Sequence, residues 1–97
     1  MFTTTEYELL TLPYFNQINP DPAMYEIQSK NTGHYWALVP TGKYITLLHK
    51  YHEPDEYHYQ TQTMTVLDAV LEIVNHDDYK LHHKGRTFLD ERIEKYA

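Results

Sequence analysis

The stretch AMYEIQSKNTGHYWALVPTGKYITLLHKY, residues 23–51, decides the fold. It has the composition of strands separated by recognisable turns, and its first segment shows the alternation of a half-buried strand. Tyr25 and Ile27 fall on one side of an extended chain, and Glu26 and Gln28 fall on the other, which predicts a half-buried strand. HYWALV is rich in aromatic and branched residues and predicts a more central strand. KNTG and PTGK have the composition of turns, so these strands are expected to join as hairpins.

The pattern continues downstream in YITLLHKY and YHYQTQT, with the turn HEPDE between them. Together these segments predict a four-stranded antiparallel β-meander over residues 23–63. A turn centred within HEPDE would pair Lys50 with His58 and His49 with Tyr59.

Two segments lie upstream of the predicted meander. NQINPDP, residues 16–22, contains two prolines together with Asn and Asp, and this composition predicts irregular structure. TEYELLTL, residues 5–12, fits a strand or a short helix stopped by Pro13, and the strand is favoured.

From Thr65 the apolar period changes from 2 to about 3.6, which predicts an amphipathic helix over residues 65–76 packed on the sheet. Thr65 is a candidate N-cap, and NHDD is expected to end the helix. The predicted apolar stripe consists of Val66, Leu67, Val70, Leu71, Ile73 and Val74. Because Leu71 lies in the middle of this stripe, a charge there should unfold the domain.

The C-terminal part is expected to add a short strand at YKLHH and a second helix over residues 87–96, in which Thr87 is the cap. With the meander and the first helix, this predicts a single α+β domain covering residues 1–97.

Composition narrows the classes of function. The chain has 97 residues, no cysteine and a net charge of −6, so disulfides and thiolate sites are excluded and an acidic body is expected. There is neither a secretory signal nor an apolar run of the roughly 20 residues needed to cross a bilayer, so a cytoplasmic protein is predicted, without membrane partners.

The ten tyrosines are the most unusual feature of the composition. A helix can cover only one face of the predicted sheet, so aromatic side chains on the other face would be available as interface anchors. The sequence therefore predicts a protein–protein interaction domain that forms a homodimer and has no catalytic role. The candidate interface residues are Tyr35, Trp36, Tyr44, Tyr51, Tyr57 and Tyr59.

An alternative function is binding of nucleic acid or an anionic ligand. Residues 80–97 carry a net charge of +2, whereas residues 1–79 carry −8. Lys80, Lys84 and Arg86 form a compact basic segment that could hold a phosphate beside the sheet tyrosines. The acidic body would repel a phosphate backbone, so nucleic acid is the less favoured partner.

The His-rich hairpin, residues 49–58, is a candidate metal site. His49 and His52 are three residues apart and fall on opposite faces of a strand. The residues that could converge on a metal are therefore His52 and His58, with Glu53, Asp55 or Glu56. A solvated turn is favoured, so no metal and no cofactor are predicted. The chain also lacks a G-x-S-x-G elbow, a Gly-rich phosphate loop and an H-E-x-x-H motif, so no motif indicates an enzyme.

Overall fold

The computed structural model describes residues 2–82, which form a five-stranded antiparallel sheet and two helices. The elements are α1 (Thr4–Leu10), β1 (Phe15–Asp21), β2 (Met24–Ser29), β3 (Tyr35–Thr41), β4 (Tyr44–Lys50), β5 (His58–Thr63) and α2 (Val66–His82). Each strand pairs with its neighbours in sequence, giving the order β1-β2-β3-β4-β5. The predicted α+β class and antiparallel meander are confirmed, with one strand more than predicted.

The additional strand, β1, occupies the segment that was predicted to be irregular, and that prediction was wrong. Among the strands of residues 2–82, β1 pairs only with β2 and lies at the edge of the sheet, where proline is tolerated because one side of the strand needs no ladder donor. Pro20 lies opposite Tyr25 in the register. The register shifts between Gln17 and Asn19, as at a β-bulge.

Residues 4–10 form a helix, so the favoured strand at residues 5–12 was also wrong. The helix begins with a capping box, in which the Glu6 amide donates to Thr3 Oγ1 at 3.2 Å and the Thr3 amide donates to Glu6 Oε1 at 2.7 Å. Leu10, at the other end of α1, is fully buried. The T-x-x-E signal of this cap was present in the sequence.

The long helix α2 starts as predicted but ends later. The Asp68 amide donates to Thr65 Oγ1 at 3.1 Å, which makes Thr65 the expected cap. The helix then runs through NHDD and YKLH to His82, so the expected stop and the expected short strand were both wrong. No glycine or proline lies between Val66 and His82 to interrupt the helix. The predicted second helix, residues 87–96, lies outside the described residues.

The face that α2 buries is narrower than predicted. Val66, Val70 and Ile73 are buried as expected, together with Ala69 and Asp77. Their spacing corresponds to a single stripe facing the sheet. The other predicted members are exposed, namely Leu67 (49%), Leu71 (49%) and Val74 (36%). Unfolding by a charge at Leu71 therefore no longer follows.

The core lies between the helices and one face of the sheet. Along β2 the buried residues alternate as Tyr25, Ile27 and Ser29, so this face of the strand points into the core. Leu10 of α1 and Ile73 of α2 belong to the same buried cluster. Within residues 2–82, neither helix has the length and hydropathy needed to span a membrane.

Candidate functional site

Three histidines from different elements meet at one end of the core. His34 directly precedes β3, His49 lies in β4, and His76 lies on α2. The strand register places His49 opposite Trp36, so His34 and His49 are diagonal neighbours on the helix-facing side of the sheet. One ring nitrogen from each of the three lies within 4.8 Å of the others. We refer to these three residues, together with His58, as the histidine cluster.

Hydrogen bonds connect three members of the histidine cluster in a row. His49 Nδ1 is 3.2 Å from His58 Nε2, and His49 Nε2 is 3.2 Å from His34 Nδ1. A neutral imidazole carries one N–H, so His49 donates to one neighbour and accepts from the other. The two N–H groups in the row therefore point the same way, and the tautomer of one ring depends on that of the next.

His58 reaches the cluster because β5 contains an irregularity. Leu47 pairs with Thr61, whereas Leu48 pairs with Tyr59, which leaves one extra residue on β5. Beyond this shift His58 lies opposite His49. The predicted pairing of His49 with Tyr59 was wrong by one residue, and a one-residue slip moves a side chain to the other face of the sheet.

Two aromatic side chains line the histidine cluster. The Trp36 ring is 4.3 Å from the His49 ring, and its Nε1–H donates to Ser29 Oγ at 3.0 Å. The Tyr51 ring is 4.8 Å from both His34 and His49 in edge-on contacts. The ring of His49 is buried. It is held in place by Trp36 on one side and by its hydrogen bonds to His58 and His34.

A buried carboxylate lies beside the cluster. Asp77 follows His76 on α2 and is fully buried. It accepts hydrogen bonds from the Tyr14 hydroxyl at 2.6 Å and from Thr32 Oγ1 at 2.9 Å. Burial, and after it the hydrogen bond to Asp77, raises the pKa of Tyr14 well above its usual range. Asp77 therefore joins α2 to the chain before β1 and to the β2–β3 turn through Tyr14 and Thr32.

Three members of the histidine cluster, His34, His49 and His76, have lowered pKa values that favour the neutral imidazole at pH 7. Burial, reinforced by the neighbouring histidines, lowers the pKa of His49 to about 3. Burial also lowers the pKa of His76 to about 4 and that of His34 below its usual value, although Asp77 opposes both shifts. Nδ1 of His76 is buried and has no hydrogen-bond partner among the described residues. Neutral rings with free lone pairs are competent metal ligands.

The predicted interface residues are divided between the two faces of the sheet. By register, Tyr35, Tyr44 and Tyr59 lie on the face away from the helices. Tyr57 also lies near this face, because Lys50 Nζ is 4.5 Å from its ring centroid and 5.3 Å from that of Tyr35. Trp36 and Tyr51 lie on the helix-facing side instead.

Trp36 is fully buried and so cannot contribute to an accessible surface of this chain. The expectation for Trp36 was wrong because its neighbour in the register is His49, on the core face. Tyr44, Tyr51 and Tyr59 are exposed, and their role in an interface stays a prediction.

Only part of the predicted basic segment lies within the described residues. Lys80 is half-buried on α2, and its Nζ is 5.8 Å from the Tyr51 ring centroid. Together with Asn31, Thr32, His34 and Leu81, it lines an open cleft of about 340 Å³. Lys84 and Arg86 lie outside the described residues.

The histidines that lie together in the structure differ from the candidate pair in the sequence, His52 and His58. His52 is exposed in the hairpin, where its amide donates to Asp55 Oδ2 at 3.1 Å, a turn contact. Neither His34 nor His76 was among the predicted site residues. The spacing of His34 and Trp36 was the available signal, since residues two apart on a strand share a face. His76 could not be found without knowing that α2 continues past residue 75.

α2 carries a second feature on its solvent side. Leu67, Leu71, Val74 and Leu81 are exposed and follow one line along the helix, with Asp78 between the last two. The steps of 4, 3, 4 and 3 residues from 67 through 71, 74 and 78 to 81 are those of a seam between two paired helices. We call these four aliphatic residues the outer stripe.

Comparison with protein-family models, with curated proteins and with solved structures gave no match for the chain.

Proposed function

We propose that this chain acts as a protein-interaction module that pairs with a second copy of itself through the outer stripe of α2. The observation that carries the proposal is the row of exposed aliphatic side chains, Leu67, Leu71, Val74 and Leu81. Isolated exposed aliphatic residues are common on protein surfaces, but a row at heptad spacing is typical of a helix that packs against another helix.

The symmetry of the outer stripe favours a second copy as the partner. Leu67 and Leu81 each lie seven residues from Val74. A twofold axis at Val74 would place Leu67 of one protomer against Leu81 of the other, so one patch serves both partners. The two helices would then run antiparallel, an arrangement in which their dipoles attract.

Asp78 limits the strength of this contact. In the antiparallel arrangement it would lie close to Leu71 of the other copy, where its charge loses part of its hydration. The outer stripe is also short, so we expect a small interface and a reversible dimer with a dissociation constant in the micromolar range. The net charge of −6 adds repulsion that salt would weaken.

The alternative, binding of nucleic acid or an anionic ligand, has opposite salt behaviour. It would rest on Lys80 at the open cleft and on Tyr51, whose ring centroid is 5.8 Å from Lys80 Nζ, with Lys84 and Arg86 following in the sequence. Phosphate binding weakens steeply as salt rises because counterions are released on binding. A dimer held by aliphatic contacts should persist in high salt.

Light scattering over a range of protein concentrations tests the proposed pairing. We expect the mass to rise from one to two chains in the micromolar range. Leu71→Glu should give a monomer at all these concentrations and retain the parent melting behaviour at low concentration, because Leu71 is half exposed. Tyr59→Glu, an exposed site on the other face of the sheet, is the matched control and should still dimerise.

Three results would contradict the proposal. The parent chain could remain a monomer throughout, or Leu71→Glu could still dimerise. Alternatively, Leu71→Glu could unfold, which would mean that the chain itself covers the outer stripe. Loss of the dimer in Tyr59→Glu alone would place the interface on the aromatic face of the sheet.

A further inference from the structure

We propose that His34, His49 and His76 bind one divalent transition-metal ion between the sheet and α2. This proposal departs from the sequence prediction of no metal and uses different residues from the hairpin pair. It rests on the convergence of one ring nitrogen from each of the three side chains within 4.8 Å. The three residues come from the β2–β3 connection, from β4 and from α2.

The separation of the first two ligand atoms suits a tetrahedral ion. Zinc–imidazole bonds of about 2.0–2.1 Å at tetrahedral angles place two ligand nitrogens roughly 3.3 Å apart. His34 Nδ1 and His49 Nε2 are 3.2 Å apart. An ion could therefore replace the proton shared by these two nitrogens without moving either ring far.

His76 supplies the third ligand and is the member that must move most. Its Nδ1 is buried and has no hydrogen-bond partner among residues 2–82, a cost that an ion would remove if it bound this nitrogen. The widest separation among the ligand nitrogens of His34, His49 and His76 is at most 4.8 Å, which exceeds the tetrahedral spacing by no more than roughly 1.5 Å. A rotation of the half-buried His76 ring covers a distance of this size.

His58 is hydrogen-bonded to Nδ1 of His49, the ring nitrogen that would not bind the ion. If His49 Nδ1–H donates to His58 Nε2, the tautomer of His49 is set and its Nε2 lone pair faces His34. A metal-bound histidine usually donates its second ring N–H to an acceptor of this kind, which orients the ring. His58 is therefore a positioning residue, outside the proposed ligand set.

The ligand chemistry selects the class of ion. Three imidazoles suit Zn²⁺, Co²⁺, Ni²⁺ or Cu²⁺ and are poor ligands for Mg²⁺ or Ca²⁺, which prefer oxygen. Three protein ligands leave one position for water, and the cleft lined by Thr32 and Lys80 borders His34 on the solvent side. Asp77 supplies a negative charge next to His76, while Lys80 opposes the ion.

The test uses full-length protein without a histidine tag, dialysed against EDTA and then freed of the chelator. Co²⁺ is added while visible absorption is recorded, because its d–d bands report both stoichiometry and tetrahedral geometry. Zn²⁺ is then titrated by calorimetry. We expect one equivalent of either ion per chain, and a rise in the melting temperature when Zn²⁺ is bound.

The variants His34→Gln and His76→Gln remove ligands at half-buried positions and should each raise the dissociation constant at least about a hundredfold. Buried His49 is avoided because its replacement endangers the fold. The controls are His52→Gln and His82→Gln, at exposed sites, which should bind as the parent does. Circular dichroism verifies that each variant is folded.

Two results would overturn the proposal. One is the absence of saturable Co²⁺ and Zn²⁺ binding by the folded parent protein. The other is stoichiometric binding that survives in folded His34→Gln and His76→Gln but is lost in His52→Gln. Neither result bears on the dimer, which is measured separately by light scattering in EDTA.

Discussion

The two ends of the core are built from different chemistry. At the apolar end the Phe2 and Tyr25 rings pack edge to face at 5.9 Å, and Leu10, Leu38 and Leu47 are fully buried beside them. At the histidine end the space between the sheet and α2 holds His34, His49 and His76 together with the buried carboxylate of Asp77.

The difference concerns what each end can contribute to stability. Buried aliphatic and aromatic side chains stabilise the fold simply by leaving water. A buried polar side chain stabilises it far less, because its hydrogen bonds in the protein replace hydrogen bonds to water. Replacing a buried polar network by well-packed apolar residues is often neutral or stabilising. Stability alone therefore does not account for His34, His49, His76 and Asp77, and this is the reason to look for a function at that end.

The largest expected effect comes from placing a charge in the apolar part of the core. Ile73→Asp should abolish cooperative folding, because Ile73 is fully buried and an aspartate there has no partner. Leu71→Asp, two residues away on the outer stripe, should keep a cooperative melt near that of the parent protein. Thermal melts followed by circular dichroism compare the two variants. Equal loss of folding in both would show that α2 buries a wider face than described.

Much of the fold could be predicted from the sequence. The alternation in residues 23–51 and the change of period at Thr65 predict the meander and the start of α2, because burial on one face imposes those periods. Two predictions of single elements were wrong. The segment now seen as β1 was predicted to be irregular, but its edge position offsets the effect of Pro20. The segment now seen as α1 had the pattern of a strand, but the capping box at Thr3 favours a helix.

The histidine cluster was harder to predict because it depends on exact pairing. His34 and His49 come together through the β3–β4 register, which a short turn largely determines. His58 joins them only because of the irregularity in β5. His76 joins them only because α2 continues through NHDD, where Asp77 is held by side-chain partners far away in the sequence. Neither the irregularity nor those partners can be recognised from local composition.

A smaller effect is expected from Asp77→Asn at the histidine end. Tyr14 and Thr32 both donate to this carboxylate, and the amide offers one acceptor oxygen in place of two. The free energy of unfolding should fall by about 1.5–3 kcal/mol, the range for hydrogen bonds to a buried charged group. Urea denaturation measures the change.

Asp78→Asn is the matched control for Asp77→Asn. Asp78 is exposed and contacts His82 at 3.0 Å on the helix surface, so at protein concentrations where the chain is a monomer its replacement should change stability by less than about 0.5 kcal/mol. Equal effects of the two substitutions would mean that the Asp77 network contributes nothing beyond surface charge.

A gradual effect is expected in the dependence of stability on pH in metal-free protein. The pKa of His49 is lowered to about 3 and that of His76 to about 4 in the folded protein, whereas both are about 6.5 in the unfolded chain. The unfolded state therefore binds more protons below pH 6.5. Stability is complete above that pH and decreases as the pH falls toward 4.

Each neutral buried histidine should contribute a slope of up to about 1.4 kcal/mol per pH unit in this range. Urea denaturation in EDTA between pH 5 and 7.5, at one protein concentration, measures the slope before most carboxylates titrate. His76→Gln should reduce the slope by the contribution of one histidine, up to about 1.4 kcal/mol per pH unit, because it removes one of the groups that becomes charged only on unfolding. A parent slope near zero, or one that His76→Gln leaves unchanged, would mean that the histidine end takes up protons without unfolding, so that His49 and His76 are not held neutral by the folded protein.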